Sequence, residues 1–200
     1  MSSPGAVCEE GQLSAAQADA FVGMITAFRD LQSTLCLVAP PPETMTELTG
    51  AIENVATRLK EFEVGEGERF ARDLGMRGQG HPVLIPYRVT ELSETSMLGS
   101  VSFGLANMGG DGTAHGGAIT MLFDDVLGTF VSRRGQPDSR TAFLKVDYRN
   151  ITPVNRELRL TASIDRIEGR KTFVTGALAD GDVVCAEAEA LFVRVLPPQP

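Results

Sequence analysis

The sequence predicts an α+β fold: an antiparallel β-sheet wrapped around a single long central helix, preceded by a helical extension. Three observations carry this. Up to about Phe62 the apolar residues recur at helical spacing, with no strand pattern between them. A later stretch, Gly116 to Val131, also fits a helix but is apolar or small nearly all round, the mark of a helix buried on more than one side. Around that stretch the period falls to two, with two strand-like segments before it and four after it. Strands, one long helix and four more strands suit a sheet closed over that helix. Two hundred residues hold one such domain and an extension. The boundary falls in the linker Gly75 to Gly80, leaving residues 1–78 as the helical extension and 79–200 as the sheet-and-helix domain.

In the extension, residues 1–12 carry no pattern and are expected to be mobile. Ser14-Ala15-Ala16-Gln17 is a capping box, in which the serine and glutamine side chains satisfy free N–H groups at a helix start. It opens an alanine-rich amphipathic helix to about Cys36, with Phe21, Met24, Ile25, Phe28 and Leu31 as apolar positions, and Pro40-Pro41-Pro42 ends it. Thr44-Met45-Thr46-Glu47 forms a second capping box, opening a helix to about Phe62 through Leu48, Ile52, Val55, Ala56 and Leu59. Gly65 and Gly67 break that helix, and a short helical turn is expected over Glu68 to Leu74. Packing, a lid over the main domain and reinforcement of a dimer all suit the extension.

After His81-Pro82, Val83 to Glu91 and Met97 to Leu105 read as strands joined by a polar turn. The glycine-rich loop Asn107 to His115 then feeds the central helix. Beyond Gly135-Gln136-Pro137-Asp138, Ala142, Leu144, Val146 and Tyr148 alternate with polar or outward positions, as do Leu158, Leu160, Ala162 and Ile164. Glu168-Gly169 turns the chain into Lys171 to Ala179, and Asp180-Gly181 is a hairpin turn into the last strand, Val183 to Val195. Ala186, Ala188 and Ala190 share one face of that strand, where small residues let a helix lie close. No internal repeat is visible.

The chemistry gathers on the central helix. On a helical wheel Ile119, Leu122, Phe123, Val126 and Phe130 form one face. Opposite them lie Gly117, Met121, Asp124 and Gly128. Each glycine costs helix stability, about 1 kcal/mol against alanine, which suggests the close approach of another backbone. A carboxylate among them is costly to bury without a task. At the helix N-terminus the free N–H groups and the positive dipole end suit a carbonyl oxygen that becomes an oxyanion. Asp124 lies eight residues beyond Gly116, roughly 12 Å along the axis at ~1.5 Å per residue, too far to share one carbonyl within one chain. Two such helices packed antiparallel in a symmetric homodimer bring each Asp124 to the other N-terminus and create two shared sites.

Composition narrows the classes. With 42% hydrophobic and 22% charged residues this is an ordinary globular chain. No apolar run approaches the ~18 residues of a membrane span. The start, MSSPGAVCEEGQ, lacks the basic and apolar regions of a secretory signal. A net charge of −8 argues against nucleic-acid binding and requires a local basic cluster for any polyanionic ligand. Cys8, Cys36 and Cys185 are odd in number and suggest free thiols in a reducing cytoplasm. Two histidines and no Cys-x-x-Cys make a zinc site unexpected. Gly109-Gly110-Asp111-Gly112 lacks the Lys-Ser/Thr ending of a P-loop and the spacing of a dinucleotide loop.

His115-Gly116-Gly117, Asp124 nine residues after the histidine and Gly128 four residues later resemble the hotdog-fold acyl-CoA thioesterases, in particular the phenylacetic-acid-pathway and thioesterase-superfamily-member-4-like branch. The resemblance continues through Thr141 to Arg149, Pro153, Glu168 to Val174 and Ala186 to Val193, covering about residues 80–195. It implies a hotdog fold and an acyl-CoA thioesterase, with a place in fatty acid metabolism and no metal or redox cofactor. Asp124 would be the catalytic carboxylate, as general base on water or as nucleophile. Asp125 points about 100° away and is expected to be solvated or structural. Gly116, with Gly117 beside it, would supply the oxyanion donor. His115 would cap or orient, since no serine or cysteine nucleophile completes a triad. Thr141 would lie near the acid and position water. Asp147, Arg149, Arg170 and Lys171 match positions that hold coenzyme A. Asp147 stands where asparagine is common in the family, which favours adenine or ribose contact there over phosphate. The acyl channel would run along the dimer helix past Met121, Leu127 and Val131. A dimer of dimers is a further expectation. The competing reading is a non-catalytic acyl-CoA-binding module. A hotdog hydratase is disfavoured because its Asp-x-x-x-x-His arrangement is missing.

Overall fold

The computed structural model describes residues 14–70, 78–134 and 138–195. The expected mobility of residues 1–12, most of the turn at Glu68–Leu74 and half of the linker at Gly75–Gly80 lie outside them. Helix α1 spans Ala15–Leu35, and its capping box forms as read: the Ser14 hydroxyl accepts from the Gln17 N–H, and the Gln17 side chain accepts from the Ser14 N–H. α1 is tied to the main domain by Arg29, whose guanidinium donates to the carbonyls of Gly78, His81 and Leu84 at 2.6, 2.6 and 2.9 Å. Phe21 meets Phe70 edge-on, with ring centroids 5.2 Å apart.

Helix α2 spans Pro42–Lys60 and corrects one expectation. The Thr44 capping box does not form, because the helix has already begun; Pro41 is the N-cap and Pro42 takes the first helical position. There its missing N–H loses nothing and its fixed φ is already helical. The proline run thus opens α2 rather than closing α1, which stops at Leu35. No residue of α2 is buried.

The main domain contains strands β1 (Tyr87–Leu92), β2 (Ser96–Val101), β3 (Met108–Gly110) and β4 (Thr113–Ala114), helix α3 (Gly116–Arg133), then β5 (Ser139–Tyr148), β6 (Leu158–Glu168), β7 (Lys171–Asp180) and β8 (Val183–Arg194). Six of them form one sheet in the order β1-β2-β6-β7-β8-β5, every neighbour antiparallel. The first two strands are shorter than predicted. Pro82 and Pro86 lack the N–H that a ladder needs, so β1 starts at Tyr87. β2 stops at Val101, and Leu105–Asn107 winds into a 3-10 turn closed by the Asn107 side chain accepting from the Gly104 N–H. The β3–β4 ribbon, unforeseen, turns through Asp111 and Gly112, both at positive φ. The hairpin turns at Gly169 and Gly181 also take positive φ, the reason for glycine there.

α3 lies against the sheet. Ile119, Leu122, Phe123, Val126 and Phe130 are buried as the wheel predicts, joined by Leu127, Thr129 and Val131. On the sheet side, Ala186, Ala188 and Ala190 leave room for the helix. Gly176 does too: a Cβ there would lie 3.2 Å from the Phe123 and Leu127 side chains. Leu127 and Val131 therefore fill the core of their own domain rather than an open channel, and only Met121 of that trio stays partly exposed.

Candidate active site

His115 is the N-cap of α3, and its Nδ1 accepts from the Gly117 N–H at 2.9 Å. The Ala118 and Ile119 N–H groups turn back to the His115 carbonyl. The first-turn amide left without a partner among the described residues is that of Gly116. Its glycine is explained by a side chain, not by a neighbouring backbone: a Cβ there would lie 3.2 Å from the Tyr148 hydroxyl. Gly128 is likewise explained by Phe192, 3.3 Å from its Cβ position. The Tyr148 hydroxyl donates to the Gly116 carbonyl at 2.9 Å and lies 2.7 Å from the Thr120 hydroxyl.

Asp124 stands two turns on, on the exposed face of α3. The Thr141 hydroxyl donates to its Oδ1 at 2.9 Å. This pairing depends on a β-bulge. Along β5, Thr141 pairs with Phe192 and Phe143 with Leu191, so two steps on β5 match one on β8. Ala142 is the extra residue. The bulge turns Thr141 to the helix side, where strict alternation from Leu144 and Val146 would have placed Ala142.

The charged residues fall into two groups at opposite ends of the sheet. At one end, Asp147 accepts from Lys145 at 3.0 Å and Arg149 at 3.3 Å, and Arg149 also pairs with Glu187 at 2.8 Å. The hydrogen bond from Lys145 holds the Asp147 carboxyl below the usual range, and Glu187 with Asp147 raises Arg149. All these pairs are solvent-exposed and easily exchanged. At the other end lie Arg170 and Lys171. Lys171 pairs with Val193, which pairs with Arg140, while Arg170 donates to the Arg194 carbonyl at 2.9 Å. Arg140 and Arg194, not singled out from sequence, thus extend a basic cluster beside Thr141; only strand register reveals it. On β7, Lys171 lies six residues from Ala177, the register partner of Glu187, roughly 20 Å at ~3.3 Å per residue. One chain therefore does not bring Arg149 and Lys171 together. Among the described residues no cluster of histidine, cysteine or carboxylates could hold a metal ion, and no helix is long and apolar enough to cross a membrane.

Residues 111–187, from the loop before α3 into β8, match the model of the Thioesterase superfamily. Over that segment the chain is similar to the superfamily. The acyl-coenzyme A thioesterase THEM4 of Mus musculus is 29% identical over 143 residues, 70% of this chain and 60% of that protein. The chain thus spans about three-fifths of the length of such relatives. The crystal structure of the thioesterase superfamily protein RHA08564 superposes with a TM-score of 0.72 at 26% identity, covering 92% of both chains. A hypothetical thioesterase protein with coenzyme A from Streptococcus pneumoniae shares the fold, with a TM-score of 0.53 at 14% identity over 58% of this chain and 91% of that one. The hotdog reading of the fold accordingly holds.

Proposed function

We propose that this protein is an acyl-CoA thioesterase, hydrolysing an acyl-CoA thioester to free acid and coenzyme A. The observation that carries it is the division of α3: one uncommitted N–H at Gly116 and, on the open face further along, the Asp124 carboxylate held by Thr141. The thioester carbonyl oxygen accepts from the Gly116 N–H, which stabilises the tetrahedral oxyanion. Asp124 takes the proton of an attacking water, or attacks the carbonyl itself to form an anhydride that water then opens. The C–S bond breaks and coenzyme A leaves as thiolate. Gly117, whose N–H is spent on His115, shapes the turn, and His115 orients it.

Gly116 and Asp124 act on one carbonyl only if a second copy contributes. β5 is an edge strand, ten residues long, with its outer edge unpaired among the described residues. Tyr148 touches Gly116 and Thr141 touches Asp124, so β5 joins both ends of the site. A second β5 running antiparallel along that edge, centred on Lys145, sets Tyr148 opposite the Thr141–Ala142 bulge of the second copy. Each site then combines Gly116 of one copy with Asp124 of the other. The same two-fold axis brings the Arg149 end of one copy to the Arg170 and Lys171 end of its mate. Coenzyme A phosphates meet Arg170 and Lys171 with Arg140 and Arg194 beside them, and the Asp147–Arg149 end suits ribose or adenine. The coenzyme A bound by the S. pneumoniae protein supports this ligand class. The catalytic unit is residues 79–200, with 1–78 as a helical extension. The unpaired Cys36 and Cys185 fit a cytoplasmic setting, where fatty acid metabolism supplies such thioesters.

The test is coenzyme A release from short, medium, long and aromatic acyl-CoAs by wild type and Asp124→Asn. Turnover should fall about a thousandfold or more in the variant with binding kept. Tight binding with no turnover by wild type would instead make this an acyl-CoA-binding module. Turnover untouched by the substitution would remove Asp124 from the mechanism and turn attention to His115.

A further inference from the structure

We infer that Tyr148, acting with Thr120, is the positioning residue that holds the oxyanion donor in place; this rests on the thioesterase reading of Gly116 above. The peptide joining Gly116 to Gly117 is clamped at both ends. Its N–H donates to His115 Nδ1 at 2.9 Å, and its carbonyl accepts from the Tyr148 hydroxyl at 2.9 Å and from the Thr120 hydroxyl at 3.0 Å. The two hydroxyls lie 2.7 Å apart and have one proton each, so at any moment one donates to the carbonyl and the other donates either there or to its neighbour; they act as one unit. On the preceding side, the His115 N–H donates to the Asn107 carbonyl at 2.7 Å. The backbone groups flanking the Gly116 N–H are thereby committed, and that N–H is the one left without a partner among the described residues. A donor that need not reorganise as charge develops is what makes such a hole effective.

Two features set this apart from a mere tie between strand and helix. The Gly116 carbonyl already lies within reach of the helix's own Thr120 N–H, so the phenol is not needed to satisfy it. The Tyr148 oxygen and Cζ also lie 3.2 and 3.3 Å from where a Cβ at position 116 would sit. The ring fills the space a side chain would take. Tyr148 is half-exposed at the end of β5, beside Asp147 and Arg149, so it carries this contact at the mouth of the site.

The experiment uses the full chain and the acyl-CoA it hydrolyses best. Tyr148→Phe keeps the ring and removes the hydroxyl. It should lower kcat about tenfold with KM within about twofold and an unchanged melting temperature. Thr120→Val should do the same and Thr120→Ser should retain wild-type kcat. Combining Tyr148→Phe with Thr120→Val should cost no more than the larger single effect, because one unit is lost. In the ligand-free protein, the Gly117 amide of Tyr148→Phe should exchange with solvent about fivefold faster, the equivalent of one lost hydrogen bond. Wild-type kcat in Tyr148→Phe would overturn the inference, whatever the amide does. A rise in KM at unchanged kcat would overturn it too, making Tyr148 a substrate contact. A wild type that hydrolyses no acyl-CoA would bring down the proposed function and this inference together, a result distinct from either of those.

Discussion

Helices α2 and α3 are nearly equal in length, and both repeat apolar residues at helical spacing, yet they end in opposite situations. In α3 eight residues are buried; in α2 none is. The α2 stripe is the more regular of the two. Met45, Leu48, Ile52, Val55, Leu59 and Phe62 follow a three-four alternation, and each is 43–74% exposed in the single chain. That is the spacing of a coiled-coil seam. Its polar residues include Glu43, Glu47, Glu53 and Glu61 against Arg58 and Lys60, the wrong balance for an anionic membrane surface. The contrast teaches that periodicity shows which face needs cover and leaves open what supplies it. For α3 the cover is chiefly strands β5 to β8 of its own chain, with alanines on β8 and Gly176 on β7 making room.

The contrast can be sharpened or broken by substitution. Phe123→Ala, at the centre of the buried face, should cost about 3–5 kcal/mol in chemical denaturation of the full chain. A loss well below that would mean the α3 face is less tightly packed than its complete burial indicates. Leu59→Ala on α2 should cost less than about 0.5 kcal/mol if the stripe is as exposed as in one chain. A loss of ~2 kcal/mol or more would show the stripe covered in an assembly, and dependence on protein concentration would identify the cover as another copy.

The smallest effect concerns how the α1 end is tied down. His81 Nδ1 accepts from the Val83 and Leu84 N–H groups at 3.2 and 3.3 Å. Burial, with Arg29 nearby, lowers its pKa below the ordinary 6.5. The folded protein therefore keeps a neutral imidazole where the unfolded chain takes a proton. This contribution is fully present above about pH 6.5 and is lost as pH falls from there toward the folded value. Stability should decline modestly across that window in wild type and less so in His81→Asn, followed by thermal melting at several pH values. An identical decline in both would assign it to other groups.

Much of this was legible beforehand because it is local. The Ser14 box, the buried wheel of α3, the positive-φ turns at Gly169 and Gly181 and the alanine face of β8 depend on residues within a few positions of one another. The candidate site was legible as residue types: His115, Gly116, Gly117, Asp124 and Thr141 were named from their spacing and their resemblance to a family. Other features were hidden. The Pro42 start of α2 is masked in the sequence because a threonine-glutamate pair imitates a cap from inside a helix. The glycines at 116 and 128 suggested a neighbouring backbone, where the folded chain presents Tyr148 and Phe192.

What the sequence by itself determined is the order of elements, the faces that must be buried and the polar side-chain types offered on α3 and β5, since these follow from local periodicity, turn preference and side-chain type. Only the tertiary structure decided which groups meet. The bulge at Thr141–Phe143 aims Thr141 at Asp124, Tyr148 reaches back to Gly116, and β5–β8–β7 register gathers Arg140, Arg170, Lys171 and Arg194 at one end of the sheet. Each depends on pairing between segments far apart in the chain, where a slip of one residue turns every side chain to the other face.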